Sequence, residues 1–97
     1  MDIRGSRNKT LTIKDFKETD EGKFVYECGD HEIEFFEQYG GWAKMIIRVF
    51  YLENSKRYLK DEKIIVRRFS NDKWKIKESN RQMWYWINKF NKRYCNE

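Results

Sequence analysis

The single histidine, His31, lies among acidic residues and is the first candidate for acid–base chemistry. Asp30 and Glu32 flank it, and Glu34 lies two residues beyond Glu32. A histidine beside a carboxylate and a cation is an arrangement that a small ribonuclease could use, because one group removes a proton while another donates one. Any acidic turn with one histidine has this composition, so we expect an exposed histidine and a protein that is not an enzyme.

The two cysteines, Cys28 and Cys95, lie far apart and lack the spacing of a metal site. Together with one histidine they cannot supply the full ligand set of a structural zinc ion. Secreted disulfide-stabilised domains normally carry more cysteines, and the first residues lack the apolar segment of a secretory signal. We therefore expect reduced thiols, a cytoplasmic location and no metal or other cofactor. The apolar runs are too short to cross a membrane, so we expect no membrane partner.

The last third of the chain carries a helical pattern that is rich in aromatic residues. One set of residues recurs at spacings of three and four and predicts a buried stripe: Met83, Ile87, Phe90 and Tyr94. Trp84, Tyr85 and Trp86 are consecutive and span about 200° of helix surface. At least one of these rings should therefore remain exposed, where it could contact a protein or stack on a nucleic-acid base. The alternative is an unusually thick aromatic core.

A row of lysines precedes this helix. Lys73, Lys75 and Lys77 alternate with Trp74 and Ile76, which predicts a strand with cations on one face. Such cations lie about 6.6 Å apart and suit a phosphate backbone, although lysines also protect exposed strand edges. The candidate nucleic-acid-binding residues are Arg67, Arg68, Lys73, Lys75, Lys77, Arg81, Lys89, Lys92 and Arg93.

Charge is unevenly distributed along the 97 residues, whose formal net charge is +5. Residues 18–41 carry eight acidic groups and one basic group, whereas residues 42–97 carry fifteen basic and six acidic groups. This asymmetry indicates a nucleic-acid partner on the basic side, unless the acidic hairpin folds back on its basic neighbours. The acidic hairpin and the aromatic run also give a set of candidate protein-binding residues: Glu32, Glu34, Glu37, Trp84, Tyr85 and Trp86.

The elements that must position these residues form an α+β domain. Period-two patterns predict strands over residues 10–16, 24–28, 33–36, 42–52, 64–69 and 73–77, with a polar connection over 54–62. Ser79 and Gln82 have the form of a capping box and predict a helix to about Tyr94. The sequence therefore predicts an antiparallel meander of five or six strands packed against one C-terminal helix. Residues 1–9 are expected to form a flexible basic arm and residues 10–97 a single domain.

Three functions remain open at this point. The first is a non-enzymatic protein that binds nucleic acid or a nucleoprotein through its basic, aromatic-rich surface. The second is a phage or mobile-element inhibitor that binds a host protein through the acidic hairpin and the tryptophan-rich helix. The third and least favoured is a small ribonuclease that uses His31. The composition leaves the oligomeric state and the identity of the partner open.

Overall fold

The fold is a five-stranded antiparallel sheet with one helix packed across one of its faces. A computed structural model describes residues 9–38, 43–67 and 73–95, with residues 67 and 73–79 described by their backbone alone. A 3-10 helix, Ile13–Asp15, is followed by β1 (Lys17–Glu18), β2 (Phe24–Cys28), β3 (His31–Gln38), β4 (Ala43–Glu53), β5 (Lys56–Arg67) and α1 (Lys73–Tyr94). The strands lie side by side in chain order, and each pairs antiparallel with the next. The predicted α+β class, with its antiparallel meander and one C-terminal helix, is confirmed.

The best-predicted elements are the second and third strands. β2 and β3 form the expected hairpin, in which Cys28 pairs with His31 across a two-residue turn. Gly29 lies in this turn with a φ of +59°, a backbone conformation that glycine adopts without a steric penalty. The apolar segment that follows forms β4, which lies between β3 and β5. β4 is paired on both edges, and its β-branched and aromatic residues suit the pleated surface of such a strand.

The predicted polar connection over residues 54–62 is wrong. Instead, β4 and β5 form a long hairpin around Asn54 and Ser55, which both have positive φ angles of 52° and 67°. Such angles are typical of the two-residue turns that match the twist of paired strands. Because β5 is an edge strand, its outer side faces water, and charged residues such as Lys56 and Lys60 are compatible with it.

Two other strand predictions are also wrong. Residues 10–16 form an irregular segment with a 3-10 helix, and the first strand is only Lys17–Glu18. The lysine row belongs to α1, which begins at Lys73. Residues two positions apart on a helix are separated by about 200°, so Lys73, Lys75 and Lys77 cannot form one row of cations. A period of two over five residues was too short a pattern to exclude a helix.

The core lies between α1 and one face of the sheet. Ile33 and Phe35 on β3 and Ile47 and Val49 on β4 point towards the helix and are buried. The predicted helical stripe faces them, with Met83, Ile87 and Phe90 buried and Tyr94 packed against the cluster. We call the opposite surface of the sheet, which carries Glu32, Glu34, Arg48, Phe50 and Ile64, the open face.

A disulfide joins Cys28 on β2 to Cys95 at the end of α1. The two Cα atoms are 5.5 Å apart, within the usual range for a disulfide. The prediction of two reduced thiols is therefore wrong, because the meander brings the end of the helix back onto the second strand. Disulfides are rare in reducing compartments, so this pairing weighs against the predicted cytoplasmic location. Among the described helical residues, no segment is both long and apolar enough to traverse a lipid bilayer.

Candidate functional site

A cleft of about 550 Å³ lies between residues 9–10 and the side of α1 that points away from the core. We call it the cationic cleft. Four cations line it, namely Lys9, Arg81, Lys89 and Lys92, together with the rings of Trp84 and Tyr85. No acidic side chain is among the described residues that line it. The sequence predicted Arg81, Lys89 and Lys92 as nucleic-acid contacts, and the structure brings these three into one concave surface.

Residues 9 and 10 form the cleft wall opposite α1, and two asparagines of the helix hold this segment in place. Asn88 accepts a hydrogen bond from the backbone N–H of Leu11 (2.6 Å) and donates to the Trp84 carbonyl (2.9 Å). Asn91 is buried and donates to the carbonyl of Lys9 at 2.9 Å. These bonds satisfy backbone groups that have no strand partner, so residues 9–11 are fixed against the helix. Lys9 thus belongs to the cleft wall, although it was predicted to end the flexible arm.

The three consecutive aromatic residues have different environments. Trp84 packs edge-on against Phe16 and Phe35, with ring centroids 5.9 and 5.6 Å away, and so joins the core. Trp86 is covered by the ammonium group of Lys63, 4.5 Å from its centroid. Tyr85 is 58% exposed and lies at the cleft. The expectation that at least one ring stays outside the core is confirmed, and the exposed ring is Tyr85.

One ion pair lies at the edge of the cleft. The Nζ atom of Lys9 lies 2.7 Å from Oδ1 of Asp15. This hydrogen bond raises the pKa of Lys9 and, with a second from the Thr12 backbone N–H, lowers the pKa of Asp15. Lys89 instead contacts rings, with Nζ 3.3 Å from the Tyr85 hydroxyl and 5.0 Å from the Trp86 centroid.

The remaining predicted nucleic-acid contacts are not part of the cationic cleft. Arg93 points to the sheet side, where it forms an ion pair with Asp61 at 3.0 Å. Arg67 is known only as a backbone position paired with Ala43, and Arg68 lies outside the described residues. The side chains of the lysine row, Lys73, Lys75 and Lys77, are likewise not described.

Two carboxylates of the acidic hairpin, Glu32 and Glu34, are paired within the sheet and are not exposed. Glu32 and Glu34 are buried on the open face, and Arg57 bridges them with N···O distances of 2.6 and 3.1 Å. The guanidinium group also lies over the Phe50 ring, 3.9 Å from its centroid. Burial is the largest single influence on the pKa of Arg57 and lowers it. The hydrogen bonds to the two carboxylates and their charges together outweigh burial, so the pKa of Arg57 is raised. Of the predicted acidic contacts, only Glu37 is exposed.

The surroundings of His31 are aromatic. Its ring is half-buried and lies 5.4 Å from that of Tyr51 and 5.5 Å from that of Tyr94. Tyr94 donates a hydrogen bond of 2.8 Å to Asp61, and its burial, followed by this bond, raises the pKa of the phenol. Among the described residues, His31 contacts these two tyrosine rings, and the ribonuclease role stays a prediction.

The sequence did not identify Lys9, Asn88 or Asn91 as part of a site. The one available signal was the spacing of Asn88 and Asn91, which places two amides on one face of a predicted helix. Comparison of the chain with protein-family models, with curated proteins and with solved structures finds no match. The inference of function therefore depends on the geometry of the cationic cleft.

Proposed function

We propose that this protein is a non-enzymatic nucleic-acid-binding module that contacts phosphates through the cationic cleft. The observation that carries the proposal is the gathering of four cations around an exposed aromatic ring in one concave surface. Lysine and arginine bind a phosphate backbone by displacing condensed counterions, and this term dominates non-specific affinity. The net charge of +5 favours the same partner. A cytoplasmic location is not part of the proposal, because the disulfide favours an oxidising compartment.

The proposal is tested by fluorescence anisotropy with labelled DNA and RNA oligonucleotides over a range of salt concentrations. We expect the logarithm of the binding constant to fall linearly with the logarithm of the salt concentration. The triple variant Arg81→Ala, Lys89→Ala, Lys92→Ala should reduce the slope by about 2 to 3, because each lost phosphate contact removes nearly one released counterion. Exposed substitutions of this kind leave the free energy of unfolding within about ±0.5 kcal/mol each.

The matched control is the triple variant Lys17→Ala, Lys56→Ala, Lys60→Ala. It removes the same charge from exposed positions that do not line the cleft. We expect it to lose much less affinity than the cleft variant. Equal losses in the two variants would show that only net charge matters, and no binding at low salt would refute the function itself.

A second candidate, an inhibitor that binds a host protein, is favoured by a different observation. Leu59, Ile64 and Val66 of the edge strand β5 are exposed on the open face. Exposed apolar side chains on a sheet edge are a typical surface for a protein partner. If this candidate is correct, replacing these three residues with serine abolishes capture of one defined protein, whereas the cleft variant still captures it.

A further inference from the structure

Tyr85 is placed in the middle of the cationic cleft. Arg81, Tyr85 and Lys89 lie four residues apart along α1 and therefore share one face of the helix. Lys92 continues this face by a further turn, so the row from Arg81 to Lys92 spans about 16 Å. The exposed ring thus lies between cations on both sides along the helix axis.

The Tyr85 ring is also held in a defined orientation. The Trp86 ring contacts it edge-on with centroids 5.7 Å apart, and Lys89 lies 5.4 Å from its centroid. Trp86 is itself fixed by Lys63 of β5. More than half of Tyr85 nevertheless remains open to solvent, with 58% of its surface exposed. A ring that is oriented before binding loses less conformational entropy when a ligand stacks on it.

We propose that the ligand of the cationic cleft is a single-stranded nucleic acid and that Tyr85 stacks on one of its bases. This inference rests on the proposed function. In a duplex the faces of the bases are covered by their neighbours, so only phosphates and groove edges are accessible to a helix surface. An unpaired strand offers both a phosphate for each cation and a base face for the ring. A row of about 16 Å fits a short site of about four nucleotides, at the lower end of the range for single-strand binders.

The test compares three probes of equal length by fluorescence anisotropy: a single strand, its duplex, and a single strand with abasic positions. We expect the wild-type protein to prefer the single strand to both others. Tyr85→Ala should weaken single-strand binding about five- to 150-fold, the range that one base–aromatic stack supplies. The same variant should not alter binding of the abasic strand, which keeps its phosphates but has lost the base faces. DNA and RNA versions of the strand report whether the 2′-hydroxyl contributes.

Two further variants isolate stacking from structural effects. Tyr85→Phe keeps the ring and should bind within about twofold of the wild type, because stacking requires only the π-face. Tyr58→Ala is the matched control, since Tyr58 is an exposed tyrosine on β5 outside the cleft. Circular dichroism and thermal melting check that each variant is folded.

The possible outcomes separate this inference from the proposed function. If duplex and single strand bind equally, or if Tyr85→Ala and Tyr58→Ala have the same effect, stacking by Tyr85 is refuted. The cleft triple variant would still lose affinity in that case, and the proposed function would stand. If the wild-type protein binds none of the probes at low salt, both the function and the inference are refuted.

Discussion

On the open face of the sheet, charged side chains neutralise one another, whereas in the cationic cleft, cations are gathered along one side of a helix. Glu32 and Glu34 share Arg57, and Glu62 is paired with Arg48 at 2.7 Å. At the edge of the cleft, Lys9 forms an ion pair with Asp15. Two carboxylates of the acidic hairpin, Glu32 and Glu34, therefore have a structural role. The sequence indicated how many charges there are, and the structure adds that on the open face the carboxylates pair with Arg48 and Arg57.

Two neighbouring helix residues give the largest expected contrast. Phe90 is buried against the sheet, whereas Lys89 lies at the cleft. Phe90→Ala should lower the free energy of unfolding by about 3–5 kcal/mol through the cavity it leaves, and Lys89→Ala by less than about 0.5 kcal/mol. Urea unfolding measures the loss of stability in each variant. Oligonucleotide affinity should fall more in Lys89→Ala than in Phe90→Ala. A loss below about 1 kcal/mol for Phe90→Ala would contradict the assigned core face.

The disulfide joins the sheet that carries the open face to the end of the helix that carries the cleft. Its reduction, or the double variant Cys28→Ala, Cys95→Ala, should cost about 2–4 kcal/mol, because the bond closes a long loop in the unfolded chain. The residues it joins are separated by 67 positions. Intact mass under non-reducing conditions should be lower by two hydrogen atoms, about 2 Da. Alkylation of both thiols in the untreated native protein would contradict the bond.

Arg57→Ala tests the ion pairs of the open face, and its effect on stability can be compared with that of Lys89→Ala in the cleft. Glu34 is only 3% exposed, so Arg57→Ala leaves buried carboxylates without a partner. Breaking a fully buried pair costs about 3–5 kcal/mol, but the Arg57 side chain is 44% exposed, so we expect about 2 kcal/mol. Oligonucleotide affinity should not change.

A compensated variant tests the cause of this loss. Glu32→Gln and Glu34→Gln in an Arg57→Met background should recover most of the stability, because no uncompensated charge then remains. If Arg57→Ala were as mild as Lys89→Ala in urea unfolding, the open face would not differ from the cleft in the way described.

The smallest expected effect concerns the acid at the edge of the cleft. Asp15→Asn releases Lys9 and should raise affinity for a single-stranded oligonucleotide by less than about fivefold, because exposed ion pairs are weak. The pKa of Asp15 lies below its ordinary value of 3.8, so its stabilising contribution is present above that pH and is lost as the pH falls through the folded pKa. An NMR titration of the Asp15 carboxyl should therefore have a midpoint below 3.8. A lower affinity of Asp15→Asn for the oligonucleotide would contradict this prediction, because it would show that Asp15 assists binding.

The sequence predicted the sheet and the helix face well because both depend on local periodicity. β2, β3, β4 and the stripe through Phe90 carry clear alternation or helical spacing. The hairpin at Asn54 and Ser55 gave no such signal, since this turn lacks the glycine that usually marks it. The strand predicted over residues 64–69 overlaps the end of β5, but residues 56–63 of β5 were missed. This first part of the strand is rich in charged residues, as is usual where a strand edge faces water, and so it lacks a clear apolar alternation.

The candidate site was predicted only in part. Arg81, Lys89, Lys92 and Tyr85 could be predicted because one helix places them together. The contribution of Lys9 depends on contacts across 77 and 82 residues, which no local pattern records. The disulfide likewise required the tertiary fold, because it depends on where the helix ends relative to β2.

The hydrogen bond between Leu11 and Asn88 makes one backbone amide a reporter of the cleft wall. The Leu11 N–H lies outside every strand and helix, and it is bonded only through a side chain at 2.6 Å. Its exchange with deuterium reports on detachment of residues 9–11 from α1, which must also withdraw the buried Leu11 side chain from the core. A nucleic-acid strand that contacts both Lys9 and α1 must slow this exchange, whereas the exchange rates of the β4 amides should stay the same. The rate at one proton thus separates ligands that bind across the cleft from ligands that touch the helix alone.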